Sequence, residues 1–260
     1  MSRKALNLQH FPVTSNDVKA LLAGLLTGLF LTAGISALRA EGPAPKPLPL
    51  IVLDPGHGGK DLGAVRRGGH TEKDLALTFS RKLQQRLEKG GVAAKLTRDS
   101  DVYIPLDERI HDSIAWGGSV FVSLHLNQDR NKKAQGIEVY AFGRERKRFG
   151  RRMRHHLPPL AAPPREAAAA SRDLSDQLVR SLKLKGFQAD PPERAGFYVL
   201  KNPKIPSVLI ELGYLSNTGE SEKLLDPAYQ DKLVETIAET LREYVRAPLP
   251  AAPDVAKSDK

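Results

Sequence analysis

Residues 47–59 read PLPLIVLDPGHGG. The apolar run 50–53 is stopped by Asp-Pro-Gly and followed by a histidine between glycines. A short apolar run bounded by a turn reads as a buried strand that delivers the turn at its end. Outward from it, Thr71-Glu72-Lys73-Asp74 forms a capping box. Leu75, Phe79, Leu83 and Leu87 then recur every four residues until Gly90-Gly91, which predicts an amphipathic helix with both ends marked. Residues 92–97 read as a strand, and Leu106, Ile110 and Ile114 line a second helix. SVFVSLHL (119–126) is another apolar strand, and GIEVYAF (136–142) a strand with alternating faces. Leu174, Leu178 and Leu182 mark a helix, 197–200 a short strand, and PSVLIELGY (206–214) a buried strand. Tyr229, Leu233, Ile237, Leu241 and Val245 form one stripe of a last helix. Strands alternating with helices predict an α/β fold: a single domain with a mostly parallel central sheet flanked by helices and an active site at the strand C-terminal edge.

The 260 residues leave room for one ordinary domain beside a targeting segment. Residues 20–38, ALLAGLLTGLFLTAGISAL, carry no charge and follow Arg3, Lys4 and Lys19. They read as a signal peptide or a signal anchor within residues 1–40, so the domain is expected to be exported to the periplasm or cell envelope, with 20–38 as an inner-membrane anchor in the uncleaved case. A proline-rich linker (41–49), a domain over 50–246 and a disordered tail (247–260) complete the expected layout. Cysteine is absent, so disulfides and thiolate chemistry are excluded and any metal must be held by His, Asp or Glu. The net charge of +10 falls to +7, from 36 basic and 29 acidic residues, once residues 1–40 are set aside. That charge suits an anionic partner; without a nucleic-acid module and with an export signal, an anionic envelope is expected rather than nucleic acid.

Collecting the polar residues at strand ends exposes the chemistry. His57 follows the first strand, His125 lies within VSLHLN and Glu211 within VLIELG. A catalytic zinc takes about three protein ligands and keeps one position open, and two His with one Glu is a recognised set. Glu72, in the first turn of the helix after the DPGHGG loop, is a candidate to fold back beside His57. Each residue also has an ordinary use: His57 as a turn residue, Glu72 as a helix N-terminal carboxylate, His125 as a core histidine, Glu211 in a structural salt bridge.

DPGHGGKDLGAV (54–65), Glu72-Lys73 opening a helix, LTR (96–98), SLHLN (123–127), GIEVY (136–140) and ELGYLSN (211–217) occur in an order that resembles the zinc amidases of the N-acetylmuramoyl-L-alanine amidase type. The resemblance spans residues 50–245. It implies that His57, Glu72 and His125 bind one Zn2+, that Glu211 is the catalytic carboxylate, and that the bond cut joins the lactyl group of N-acetylmuramic acid to L-alanine of the peptidoglycan stem peptide. Departures are small: Leu126 where the family often has Ala, Tyr214 where it often has Phe, and Thr71 before the ligand Glu. The alternatives are a zinc peptidase acting within the stem peptide and a catalytically inactive cell-wall binding protein, the latter disfavoured because all four residues are present.

Residues 144–156 hold seven Arg or Lys and one Glu and open an expected surface insertion, 144–164. It reads as a solvated loop, as a patch for an anionic envelope polymer or membrane surface, or as a cover over the active site removed by a protein activator. Arg109 is expected to pair with Asp107 or Asp112 or to contact substrate carboxylates. His155 and His156 read as exposed, and His70 and His111 have no motif behind them.

Overall fold

A computed structural model of the protein describes residues 48–66, 68–143 and 160–247. The targeting segment, most of the linker, the basic run with His155 and His156, and nearly all of the tail lie outside the described residues. Among those described, no helix is long and apolar enough to cross a membrane.

Six strands, β1 (Leu50–Pro55), β2 (Ala93–Leu96), β3 (Val120–Asn127), β4 (Glu138–Phe142), β5 (Glu193–Ala195) and β6 (Ser207–Tyr214), form one sheet in the order β2-β1-β3-β6-β4-β5. All pairs are parallel except β4 with β6. The helices are α1 (Glu72–Lys89), α2 (Leu106–Ala115), α3 (Arg165–Leu184), α4 (Thr218–Leu225) and α5 (Pro227–Arg246). The expected mostly parallel α/β domain is therefore present.

Alternation along the strands divides the core into two unequal layers. Ile51, Leu53, Val122, Leu124, Leu126, Val208 and Ile210 join a large cluster with side chains of α1, α3, α4 and α5. On the other face Val52, Phe121, Tyr140 and Leu209 meet Ala195, Val199, Leu200, Leu106 and Trp116. Among the described residues, that second face is covered by α2, a 3-10 turn (Tyr198–Leu200) and the side chains of Phe197 and Ile205. Burial on both faces explains why the strands read as continuous apolar runs. It also shows GIEVYAF to be buried on its two faces rather than on one: Glu138 to Ala141 are all buried.

α1 forms as its sequence dictates. The Thr71 side chain accepts from the Asp74 amide at its start, and Gly91, at φ 76°, follows its end. Leu75, Phe79, Leu83 and Leu87 are all buried. The segment 197–200 is not a strand. A short apolar run does not distinguish a strand from a tight helical turn, and here the turn folds Val199 and Leu200 under Val52 and Phe121 while Glu193–Ala195 takes the sheet edge. α4 and β5 have no counterpart in the sequence reading.

Leu83 is fully buried between α1 and the sheet, so Leu83→Ala is expected to cost about 2–5 kcal/mol, measured as a lower urea midpoint with an unchanged denaturant slope.

Candidate active site

β1, β3 and β6 run parallel in adjacent register, which fixes what stands beside what. His125 on β3 is paired with Glu211 on β6, and Glu211 is paired on its other side with Glu138 on β4. Side chains directly opposite on neighbouring strands share a face. The three therefore form a row on the thinly covered face, which also carries Asp54 and Ser123, joined by a 2.7 Å hydrogen bond.

His57 arrives from the loop after β1. Its backbone is left-handed at φ 60°, unusual for a residue with a Cβ, and its Nε2 lies 2.9 Å from Glu72 Oε1. His125 Nδ1 lies 3.0 Å from the same oxygen, and the two imidazole rings meet edge to face with centroids 4.9 Å apart. Glu72 is buried; its Oε1 also accepts the Leu126 amide at 3.1 Å and its Oε2 the Ala64 amide at 2.8 Å. Burial alone would raise the Glu72 pKa, but the His125 and His57 imidazoles outweigh it and hold the carboxyl well below its ordinary range. Burial would likewise lower His57, yet the Glu72 and Asp61 carboxylates, the latter 2.9 Å from Nδ1, bring it above its ordinary value.

The loop leaves no spare room around this cluster. A Cβ on Gly63 would stand 2.5 Å from Glu72 Oε2 and 2.7 Å from His57 Cδ2, and one on Gly56 would stand 2.4 Å from the His125 ring. Glycine at these positions is what lets the backbone approach.

One donor atom from each of His57, Glu72 and His125 lies within 4.8 Å of the others, a group able to hold a metal ion. Zinc bonds of about 2.0–2.2 Å place two ligands of one tetrahedral ion about 3.4 Å apart. The 2.9 and 3.0 Å contacts to Glu72 Oε1 fall within a few tenths of an ångström of that separation. A profile of N-acetylmuramoyl-L-alanine amidases matches residues 51–243. The chain belongs to the N-acetylmuramoyl-L-alanine amidase family. It is 30% identical over 220 residues to the N-acetylmuramoyl-L-alanine amidase AmiA of Escherichia coli, covering 75% of each chain. Among solved structures, the amidase AmiC2 of Nostoc punctiforme matches 76% of this chain and 98% of its own at a TM-score of 0.60 and 30% identity. The CwlD amidase of Clostridioides difficile, solved in complex with the GerS lipoprotein, matches 76% and 98% at 0.63 and 28%. As a member of this amidase family, the chain is a peptidoglycan hydrolase, as the sequence motifs led one to expect.

Glu211 differs from the other three. Its Oε2 is buried with no hydrogen-bond partner among the described residues, and desolvation, then the Glu72 and Glu138 carboxylates, raise its pKa well above the ordinary value. Its neighbour Glu138 was not singled out from sequence. Glu138 accepts from Asn127 Nδ2 at 2.9 Å, from the Tyr214 hydroxyl at 2.6 Å and from the Tyr140 hydroxyl. An acidic residue in the middle of GIEVYAF was the available signal, since a buried carboxylate needs donors. Arg109 is buried and pairs with Asp54 at 2.7 Å instead of Asp107 or Asp112. His70 is exposed, and His111 is exposed beside Asp112.

The Glu72–imidazole contacts set a pH window. Glu72 is lowered from an ordinary 4.5, so the stability it lends is present above 4.5 and is lost as pH falls toward the depressed value. His57 is raised from 6.5, so its share is complete below 6.5 and is lost as pH rises through the raised value. In chelator-treated protein, the stabilisation of wild type over His57→Ala is therefore expected to be greatest between pH 4.5 and 6.5 and to shrink on both sides, checked by thermal melts across that window.

Proposed function

We propose that this amidase is zinc-dependent, with His57, Glu72 and His125 as the metal ligands and Glu211 as its catalytic acid-base. The observation that carries the reading is the meeting of two imidazole nitrogens on one carboxylate oxygen, with Glu211 next to His125 in strand register. The bond cleaved is the amide between the lactyl group of N-acetylmuramic acid and L-alanine of the stem peptide.

When bound, zinc supplies a Lewis acid that acidifies water to a pKa of about 7 and polarises the amide carbonyl. Glu72, ionised across the working pH range, supplies the negative charge of the ligand set, and its amide hydrogen bonds fix which oxygen faces the imidazoles. Glu211 takes a proton from the water that attacks the carbonyl carbon. It then gives that proton to the nitrogen of L-alanine as the carbon–nitrogen bond breaks. A carboxyl desolvated this strongly keeps its proton more readily than one in water, and a bound dication would oppose that rise.

We further infer a catalytic domain over residues 50–246 that acts outside the cytoplasm, the apolar segment 20–38 being its export signal or anchor. A protein activator is part of this reading, by analogy with CwlD and its GerS partner. Contact with an anionic envelope polymer or membrane surface is assigned to the basic run after residue 143.

The test is digestion of purified peptidoglycan by wild type and Glu211→Gln, with and without chelator. Wild type is expected to release intact peptides beginning with L-alanine, chelator to stop the release, and Glu211→Gln to lower the rate about 10²–10⁴-fold while retaining one metal per chain. Fragments cut within the peptide would support the peptidase alternative instead.

A further inference from the structure

Two buried arginines outside the proposed ligand set converge on the loop that presents His57. From Pro55 to His57 every backbone carbonyl accepts from a guanidinium. Arg109 reaches Pro55 O at 2.8 Å and His57 O at 2.7 Å while pairing with Asp54 at 2.7 Å. Arg98 reaches Pro55 O at 3.0 Å and Gly56 O at 2.7 Å. The same Arg98 Nη2 donates to Lys73 O at 2.8 Å, the residue after Glu72. Arg98 therefore ties the segment carrying His57 to the segment carrying Glu72.

The backbone there needs such a hold. His57, Gly58 and Gly59 all have positive φ, 60°, 128° and 55°, and a left-handed residue with a Cβ persists only where its surroundings over-determine it. Stability alone is a poor reason for the arrangement. Burial and then the neighbouring Arg109 lower the Arg98 pKa against the opposing Asp54, Asp101 and Asp74 carboxylates, and a buried ion pair such as Arg109–Asp54 is a weak source of net fold stability. A guanidinium has five donors in a rigid planar fork, which lets one side chain hold several carbonyls at fixed angles; an ammonium does not.

The geometry points to Arg98 and Arg109 as positioning residues for the metal site, setting the orientation of His57 and Glu72 through their backbones without touching metal or substrate. This inference rests on the metal reading proposed above. Groups that orient metal ligands cost about 10–100-fold in metal affinity when changed.

The test strips the full-length protein with chelator and titrates it with Co2+ alone, whose visible spectrum reports both affinity and coordination geometry. Wild type is expected to bind one equivalent. Arg98→Lys and Arg109→Lys are expected to bind about 10–100-fold more weakly with an altered visible band, while remaining folded by far-ultraviolet circular dichroism. Leu178→Ala, a fully buried change on α3, is the control that lowers stability without touching the loop, and it should keep the wild-type affinity and spectrum. If Arg109→Lys does not fold, Arg98→Lys carries the comparison. A folded Arg98→Lys with wild-type affinity and spectrum overturns the inference and leaves the metal reading standing, as does an equal loss in Leu178→Ala, which would make the effect one of general stability. Wild type that takes up no cobalt, or His57→Ala that matches wild type, overturns the metal reading itself and this inference with it.

Discussion

A single buried carboxylate organises the site. Glu72 receives the Ala64 amide on one oxygen, and the Leu126 amide and both imidazoles on the other. A carboxylate withdrawn from water is tolerated only when donors replace its hydration, and these donors come from two separate pieces of chain: the loop after β1, which supplies His57 and the Ala64 amide, and the end of β3, which supplies His125 and the Leu126 amide. Satisfying one charge therefore brings the start of α1, the DPGHGG loop and β3 into fixed relation. The close glycines follow from the same demand, because Gly63 and Gly56 stand where any side chain would displace Glu72, His57 or His125.

The sheet supplies the second constraint. Among the described residues, three long helices crowd one of its faces, while α2 and a 3-10 turn lie on the other. Parallel strands bring their C-terminal ends to one edge, and period-two alternation selects which side chains there face the thin layer. His125, Glu211 and Glu138 are consecutive in register on that face. A one-residue slip of β6 would exchange Glu211 for Ile210 or Leu212 and move the carboxylate into the apolar cluster under the helices. The placement of Glu211 among apolar neighbours thus both disfavours a shifted register and positions the chemistry.

Much of this was legible in the sequence because the signals were local. Apolar runs announced β1, β3 and β6, and the four-residue spacing with Thr71 and Gly90-Gly91 announced α1. His57, His125 and Glu211 were visible as polar residues at strand ends, and the family motifs agreed with them. Less was legible where a side chain finds its partner far along the chain. Arg109 was matched to acids on its own helix or to substrate carboxylates, but its counter-charge is Asp54, on β1. Glu138 carries no local sign of the hydroxyls of Tyr140 and Tyr214 or the amide of Asn127. The segment 197–200 was read as a strand because three or four apolar residues do not define a period, and the register of the sheet decided the matter.

The contrast between Glu138 and Glu211 gives the row its chemical sense. Directly opposed carboxylates on neighbouring strands repel, and the structure does not treat them alike. Glu138 is surrounded by an amide and two hydroxyl donors, whereas Glu211 keeps a buried oxygen with no hydrogen-bond partner among the described residues. Desolvation first, then the Glu72 and Glu138 carboxylates, disfavour charge on Glu211. Tyr140 and Tyr214 follow the same logic, since burial and the adjacent Glu138 carboxylate both raise their pKa values and keep their hydroxyls protonated as donors. The two neighbouring carboxyls thus sit in unlike surroundings: Glu138 is enclosed by donors, while Glu211 is desolvated beside two other carboxylates and its pKa is raised.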